Sequence, residues 1–147
     1  MTDVEYMQVA LKCAEQAAAI GEVPVGAIAV IDGKIVAESF NLMEQEKTAL
    51  AHAEILVIKE LNRIVGDWRL DMATIYVTKE PCPMCAGAIQ WANIYKVYQG
   101  CNVRDAESIG FRDKRFYEEE WFNTETIDRK ACLELFDEYR RTNPQNY

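Results

Sequence analysis

The residues best placed to do chemistry are His52 and Glu54, two apart, and Cys82 and Cys85, three apart within Pro81-Cys82-Pro83-Met84-Cys85. His52 is the only histidine in 147 residues. Two thiolates and one imidazole make three ligands. Structural zinc is normally closed by four side chains, whereas three ligands and an open position are the usual arrangement of catalytic zinc. Water in the fourth position would have its pKa lowered toward ~7 by the metal. Glu54 is close enough to reach that water and is not needed as a ligand, so a carboxylate there can take its proton and pass it on. The chemistry expected is hydrolysis assisted by Zn2+, one ion per chain, with His52, Cys82 and Cys85 as ligands and Glu54 as catalytic acid and base.

Two blander readings compete. A lone Cys-x-x-Cys in a reducing compartment is often a redox pair, and His, Cys and Cys can also belong to a structural metal site. Neither uses Glu54. The joint pattern His-x-Glu followed by Pro-Cys-x-x-Cys is instead the signature of zinc deaminases acting on nucleobases, in which the carbon bearing an exocyclic amine is attacked and ammonia leaves.

The elements that must hold these residues follow from periodicity and punctuation. Thr2 and Glu5 form a capping-box pattern, and Met7, Ala10, Leu11, Ala14, Ala17 and Ala18 continue it as a helix over 3–20, ended by Gly21. The β-branched run 23–31, the turn signal Asp32-Gly33 and the run 34–40 predict a hairpin. A second helix opens at His52 and stops at Gly66. A strand over 73–78 is broken by Pro81 and Pro83, which start a third helix reaching about residue 93, because proline in a first helical turn costs no hydrogen bond. Cys82 and Cys85 then share one side of that first turn, where the helix dipole favours thiolate. A strand over 95–100, a short fifth strand at 124–127 and a last helix from Asp128 complete the order. The pattern predicts an α/β fold of three layers, α-β-α, with a mixed five-stranded sheet between helices, formed by residues 1–147 as one domain.

Composition narrows the partners. Asp and Glu outnumber Lys and Arg 24 to 16, for a net charge of −8, which argues for a small-molecule substrate rather than nucleic acid. No apolar run approaches the ~20 residues that span a bilayer, and the first residues lack a secretory signal pattern, so a cytoplasmic protein without membrane attachment is expected. Cys13, Cys101 and Cys132 read as small core residues.

Val23-Pro24-Val25-Gly26-Ala27, Ala51-His52-Ala53-Glu54 and Glu80-Pro81-Cys82-Pro83-Met84-Cys85-Ala86-Gly87-Ala88-Ile89 resemble the cytidine deaminase-like superfamily, in the branch of tRNA adenosine deaminases, guanine deaminases and yeast-type cytosine deaminases. The resemblance divides along the chain. Glu22 to Gly26 is similar to the tRNA adenosine deaminases. Trp91 and Ile109-Gly110-Phe111 followed by Asp113 resemble the guanine deaminases, as does the aromatic C-terminus, Tyr147. Arg112 departs from the acidic residue usual in that branch, and Val25 from a bulkier one.

The resemblance implies a zinc-dependent nucleobase aminohydrolase, guanine to xanthine and ammonia first, with Asn41, Trp91, Asp113 and Tyr147 binding or enclosing the base. It also implies a homodimer. The alternatives are a tRNA-specific adenosine deaminase, forming inosine, and a deaminase of cytosine or another amino-heterocycle. The aromatic segment from Phe111 to Phe122 is either a lid over a flat base or the buried face of an amphipathic stretch.

Overall fold

A computed structural model describes residues 1–118 and 125–144. The chain runs α1 (Asp3–Ala19), β1 (Gly26–Ile31), β2 (Lys34–Phe40), α2 (Met43–Glu46), α3 (Ala53–Val65), β3 (Thr74–Lys79), α4 (Pro83–Trp91), β4 (Lys96–Cys101), α5 (Val103–Glu107), α6 (Asp113–Glu118) and α7 (Arg129–Thr142). Thr2 accepts from the Glu5 backbone at 3.2 Å while Glu5 accepts from the Thr2 backbone at 2.6 Å, so the capping box starts α1 as its spacing predicts. Asp32 and Gly33 both take positive φ, 50° and 74°, the turn geometry that matches the twist of a two-residue hairpin.

The sheet has the order β2-β1-β3-β4, with β1 antiparallel to β2 and β3 and with β3 parallel to β4. Its strands sort their side chains by alternation. Ala27, Ala29, Ile75 and Val77 face α3 and α4, joining Val57, Leu61 and Ile89 in one core. Ile28, Val30 and Tyr76 face the other way onto Tyr6, Ala10 and Cys13 of α1 in a second. Small residues set the spacing on the α1 side: a Cβ at Gly26 would lie 2.2 Å from the Ala10 carbonyl oxygen. The three-layer mixed sheet is therefore the expected one.

Four strands, not five, make up this sheet among the described residues. Residues 125–127 carry no strand, because beyond β4 the chain turns into α5 and α6 rather than returning along the sheet edge; Thr124 lies outside the described residues. The cysteines also divide. Cys13 is buried, and burial with the Glu38 carboxylate at 3.8 Å pushes its thiol up to about 11. Cys101 and Cys132 are exposed rather than core. Among the described residues, no helix is long and apolar enough to cross a membrane.

The register fixes where a site can form. Gly26 pairs Phe40, and Lys79 pairs Cys101, so the start of β1 and the ends of β2, β3 and β4 share one end of the sheet. Asn41 leaves β2 there, and α4 begins just beyond β3.

Candidate active site

Two helix N-termini meet at that end. His52 is the N-cap of α3 and Cys82 the N-cap of α4, both in extended backbone, with Pro83 at the first helical position. Cys85 sits one turn into α4 and is fully buried. His52 Nδ1 lies 3.5 Å from Cys82 Sγ and 3.4 Å from Cys85 Sγ. The ligand atoms of the three residues lie within 4.8 Å of one another, a donor set of one nitrogen and two sulfurs that suits zinc.

The electrostatics fit the same use. The hydrogen bond from Cys85, together with His52 and the α4 backbone, brings Cys82 down to about 4 against the cost of burial. Cys85 is pushed up by its bond to Cys82 and by burial. His52 is raised, chiefly by its bond to Cys82. A cation at this point replaces the shared protons and lets both sulfurs be thiolates. Glu54, two residues from His52, is 4% exposed, and desolvation raises its carboxyl above the ordinary range. A buried carboxyl lifted in this way holds a proton more readily than an exposed one and can both accept and return it.

A cavity of about 360 Å³ opens beside these groups. His52, Glu54 and Cys82 line it together with Val23, Val25, Asn41 and Met43. Gly110, Phe111, Arg112, Asp113 and Phe116 line it as well, with Lys79 at the end of β3. The apolar walls suit a flat ring, and the polar groups that orient it are few.

Asn41 has buried side-chain nitrogen and oxygen atoms with no hydrogen-bond partner among the described residues. A buried amide without a partner is costly; facing a cavity, it is available to both a donor and an acceptor on a ligand. Asp113 also reaches the cavity, as the resemblance implies. Trp91 does not. It is 64% exposed at the far end of α4, beside Trp68, Gln90 and Asn93, because nine residues of helix carry it away from the end where Cys82 sits. Tyr147, Trp121 and Phe122 lie outside the described residues. Phe111 and Phe116 line the pocket rather than the core.

Two charged residues without an expected structural role hold this arrangement. Glu22, 4% exposed, accepts the Glu44 and Gln45 backbone N–H groups at 3.0 and 2.9 Å, pinning the start of α2 that carries Met43. Lys79 pairs with Asp113. An acid and a base bordering apolar strands were the available signals, and neither alters periodicity.

Comparison with known proteins agrees with the geometry. Residues 1–101 match the model of the cytidine and deoxycytidylate deaminase zinc-binding region. A tRNA-specific adenosine deaminase of Bacillus subtilis is 52% identical over 98 residues, 67% of this chain. The match spans only 61% of that relative's length. A solved structure from a study of A-to-I editing by tRNA:A34 deaminases at the wobble position is 42% identical, covering 67% of this chain and 72% of that one, with a TM-score of 0.66. A guanine deaminase from Bacillus subtilis is 32% identical over 96% of this chain and 95% of its own, with a TM-score of 0.86.

These identities correct the expectation of guanine as substrate. Sequence identity is 52% and 42% to the two proteins named for tRNA adenosine and 32% to the guanine deaminase, although the latter matches more of the chain. The guanine reading leaned on Trp91, which stands outside the pocket, on Tyr147, and on a segment where Arg112 replaces an acidic residue.

Proposed function

The chain belongs to the family of the cytidine and deoxycytidylate deaminase zinc-binding region, whose members here are zinc-dependent hydrolytic deaminases, and we propose that it deaminates adenosine to inosine in a tRNA. The observation that carries this reading is the 52% identity to a tRNA-specific adenosine deaminase over a segment long enough to hold both zinc motifs. In this reading Val23, Val25 and Asn41 serve that substrate.

His52, Cys82 and Cys85 hold the zinc, which when bound acidifies water and so supplies the nucleophile. Glu54 would carry two protons in turn, one from the attacking water to the ring nitrogen and a second from the hydroxyl on the tetrahedral carbon to the leaving amine, so that adenosine and water become inosine and ammonia. Asn41 orients the ring through its free amide. Asp113 meets it from the start of α6, and Phe111 and Phe116 exclude water.

A net charge of −8 does not favour contact with RNA. Recognition of a single-stranded loop needs only a local set of cations and aromatic faces around a splayed base. Arg112 at the pocket wall lies 5.1 Å from the Phe116 ring, and Lys114 and Arg115 follow it on α6. A homodimer and a cytoplasmic location belong to the same reading. The exposed Leu135 and Phe136 of α7 offer apolar surface to a second copy, which sedimentation of the zinc-loaded protein would register as a doubled mass.

The direct test is inosine formation in a tRNA anticodon stem-loop, run beside ammonia release from free adenosine, adenine, cytosine and guanine. Turnover of the stem-loop, lost in Glu54→Gln with zinc retained, is the expected result. Release of ammonia from a free base with an inert stem-loop would overturn the RNA reading and leave the zinc chemistry standing.

A further inference from the structure

We propose that Lys79 is a positioning residue, whose ion pair with Asp113 holds α6 against the pocket and so fixes the wall that closes on the substrate. Lys79 ends β3, where its backbone is tied into the ladder opposite Cys101. Its ammonium donates to the Glu80 carbonyl at 3.2 Å and to the Asp113 carboxylate. The two side chains are 14% and 18% exposed, and both line the cavity.

The other ion pairs among the described residues are more open: Arg63–Glu60, for example, is 71% and 42% exposed. Exposed pairs contribute little, whereas removing one partner of a shielded pair leaves a desolvated charge uncompensated.

The pair matters because it joins α6 to the end of β3 across the pocket. This six-residue helix buries no side chain. Asp113 at its start meets Lys79, and Tyr117 near its end donates to the Pro81 carbonyl at 2.7 Å. Both contacts land on the stretch 79–81, immediately before the ligand Cys82. The stretch that leads into one zinc ligand therefore also anchors α6, with Lys79 holding the end of it that lines the pocket. Without Lys79, the Asp113 carboxylate is better solvated away from the cavity, and Arg112 and Phe116 move with it. His52, Glu54, Cys82 and Cys85 stay where α3 and α4 hold them.

The role given to the wall rests on the function proposed above; the attachment of α6 does not, and one set of variants separates the two. In the zinc-loaded full chain, trypsin cleavage at Arg112, Lys114 and Arg115 is timed for the wild type, Lys79→Met, Asp113→Asn, the double variant and Lys79→Arg, with zinc content and Tm confirming the fold. Each single neutral variant is expected to be cut about tenfold faster, with the double no faster than either and Lys79→Arg close to wild type, as for two groups acting as one unit. On the stem-loop substrate, Lys79→Met is expected to raise KM about tenfold and leave kcat within about threefold, the pattern of lost binding rather than lost chemistry. Wild-type cleavage rates in either single variant, or single effects that multiply in the double, would overturn the proposal. Faster cleavage from a protein whose wild type leaves the stem-loop unchanged would uphold the latch and sink the RNA reading instead.

Discussion

Residues 1–101 and the segment beyond them are built on different terms. In the first region the ligands sit at helix caps that the sheet and two cores hold: Cys85 and Val57 are fully buried, and Glu54 nearly so. In the second, α5 buries only Ala106, and neither α6 nor α7 buries any described side chain. The zinc chemistry is thus fixed by packing, which tolerates little change. The α6 segment that lines the pocket meets the stretch 79–81 through an ion pair and a tyrosine hydroxyl. A scaffold divided in this way separates the groups of the reaction from part of the pocket lining, which can change without disturbing them.

The widest gap between the regions should appear on removing the metal. Cys85→Ala, or exhaustive chelation, is expected to abolish ammonia release entirely and to lower stability, by about 2.7 kcal/mol where free zinc had stood about 100-fold above its Kd. Zinc by atomic absorption, activity and Tm report it together. Retained activity without zinc would erase the distinction, since the core would no longer own the chemistry. Next in size is Glu54→Gln, expected to cut kcat by about 10²–10⁴-fold with zinc content and Tm close to wild type. A loss of zinc in that variant would make Glu54 a ligand or a structural prop rather than the proton carrier.

Much of this first region was legible in the sequence. Thr2 with Glu5, Asp32-Gly33, Gly66 and Pro81 with Pro83 are local signals, and each marks a boundary that the structure keeps. The grouping of His52, Cys82 and Cys85 was legible because ligation demands particular residue types at particular spacings, and Glu54, two residues from His52, comes to the same place. Lys79 and Glu22 were not, since a buried charge becomes meaningful only beside its partner, and Asp113 and the 44–45 backbone are brought to them by tertiary folding. Trp91 misled for the converse reason. Its helix was read well, but the face and depth of a residue nine positions from a cap depend on what packs there. The expected strand at 124–127 failed because pairing with the sheet edge is a long-range property, and 125–127 are not paired.

Stability measurements sharpen the same comparison at smaller scale. Leu61 is fully buried in the core between the sheet and α3, and Leu61→Ala is expected to cost about 2–5 kcal/mol through lost transfer energy and the cavity left behind. Urea denaturation followed by circular dichroism gives the value. A cost under 1 kcal/mol would mean that the α3 face repacks freely, and the rigid placement of His52 and Glu54 would lose its basis.

The smallest effect is expected from the opposite surface. Phe136 on α7 is 72% exposed although its side chain is as apolar as any in the core. In the isolated chain, Phe136→Ala removes almost no buried area, so its change should stay within about 0.5 kcal/mol, the range of surface substitutions away from special features. The measurement belongs at several protein concentrations, because burial of Phe136 against a second copy would make its cost grow with concentration. A small, concentration-independent change keeps the two regions distinct: a packed core that carries the reaction and an outer segment that contributes little to the fold. A cost comparable to Leu61→Ala at every dilution would break the comparison, since α7 would then belong to the same cooperative core.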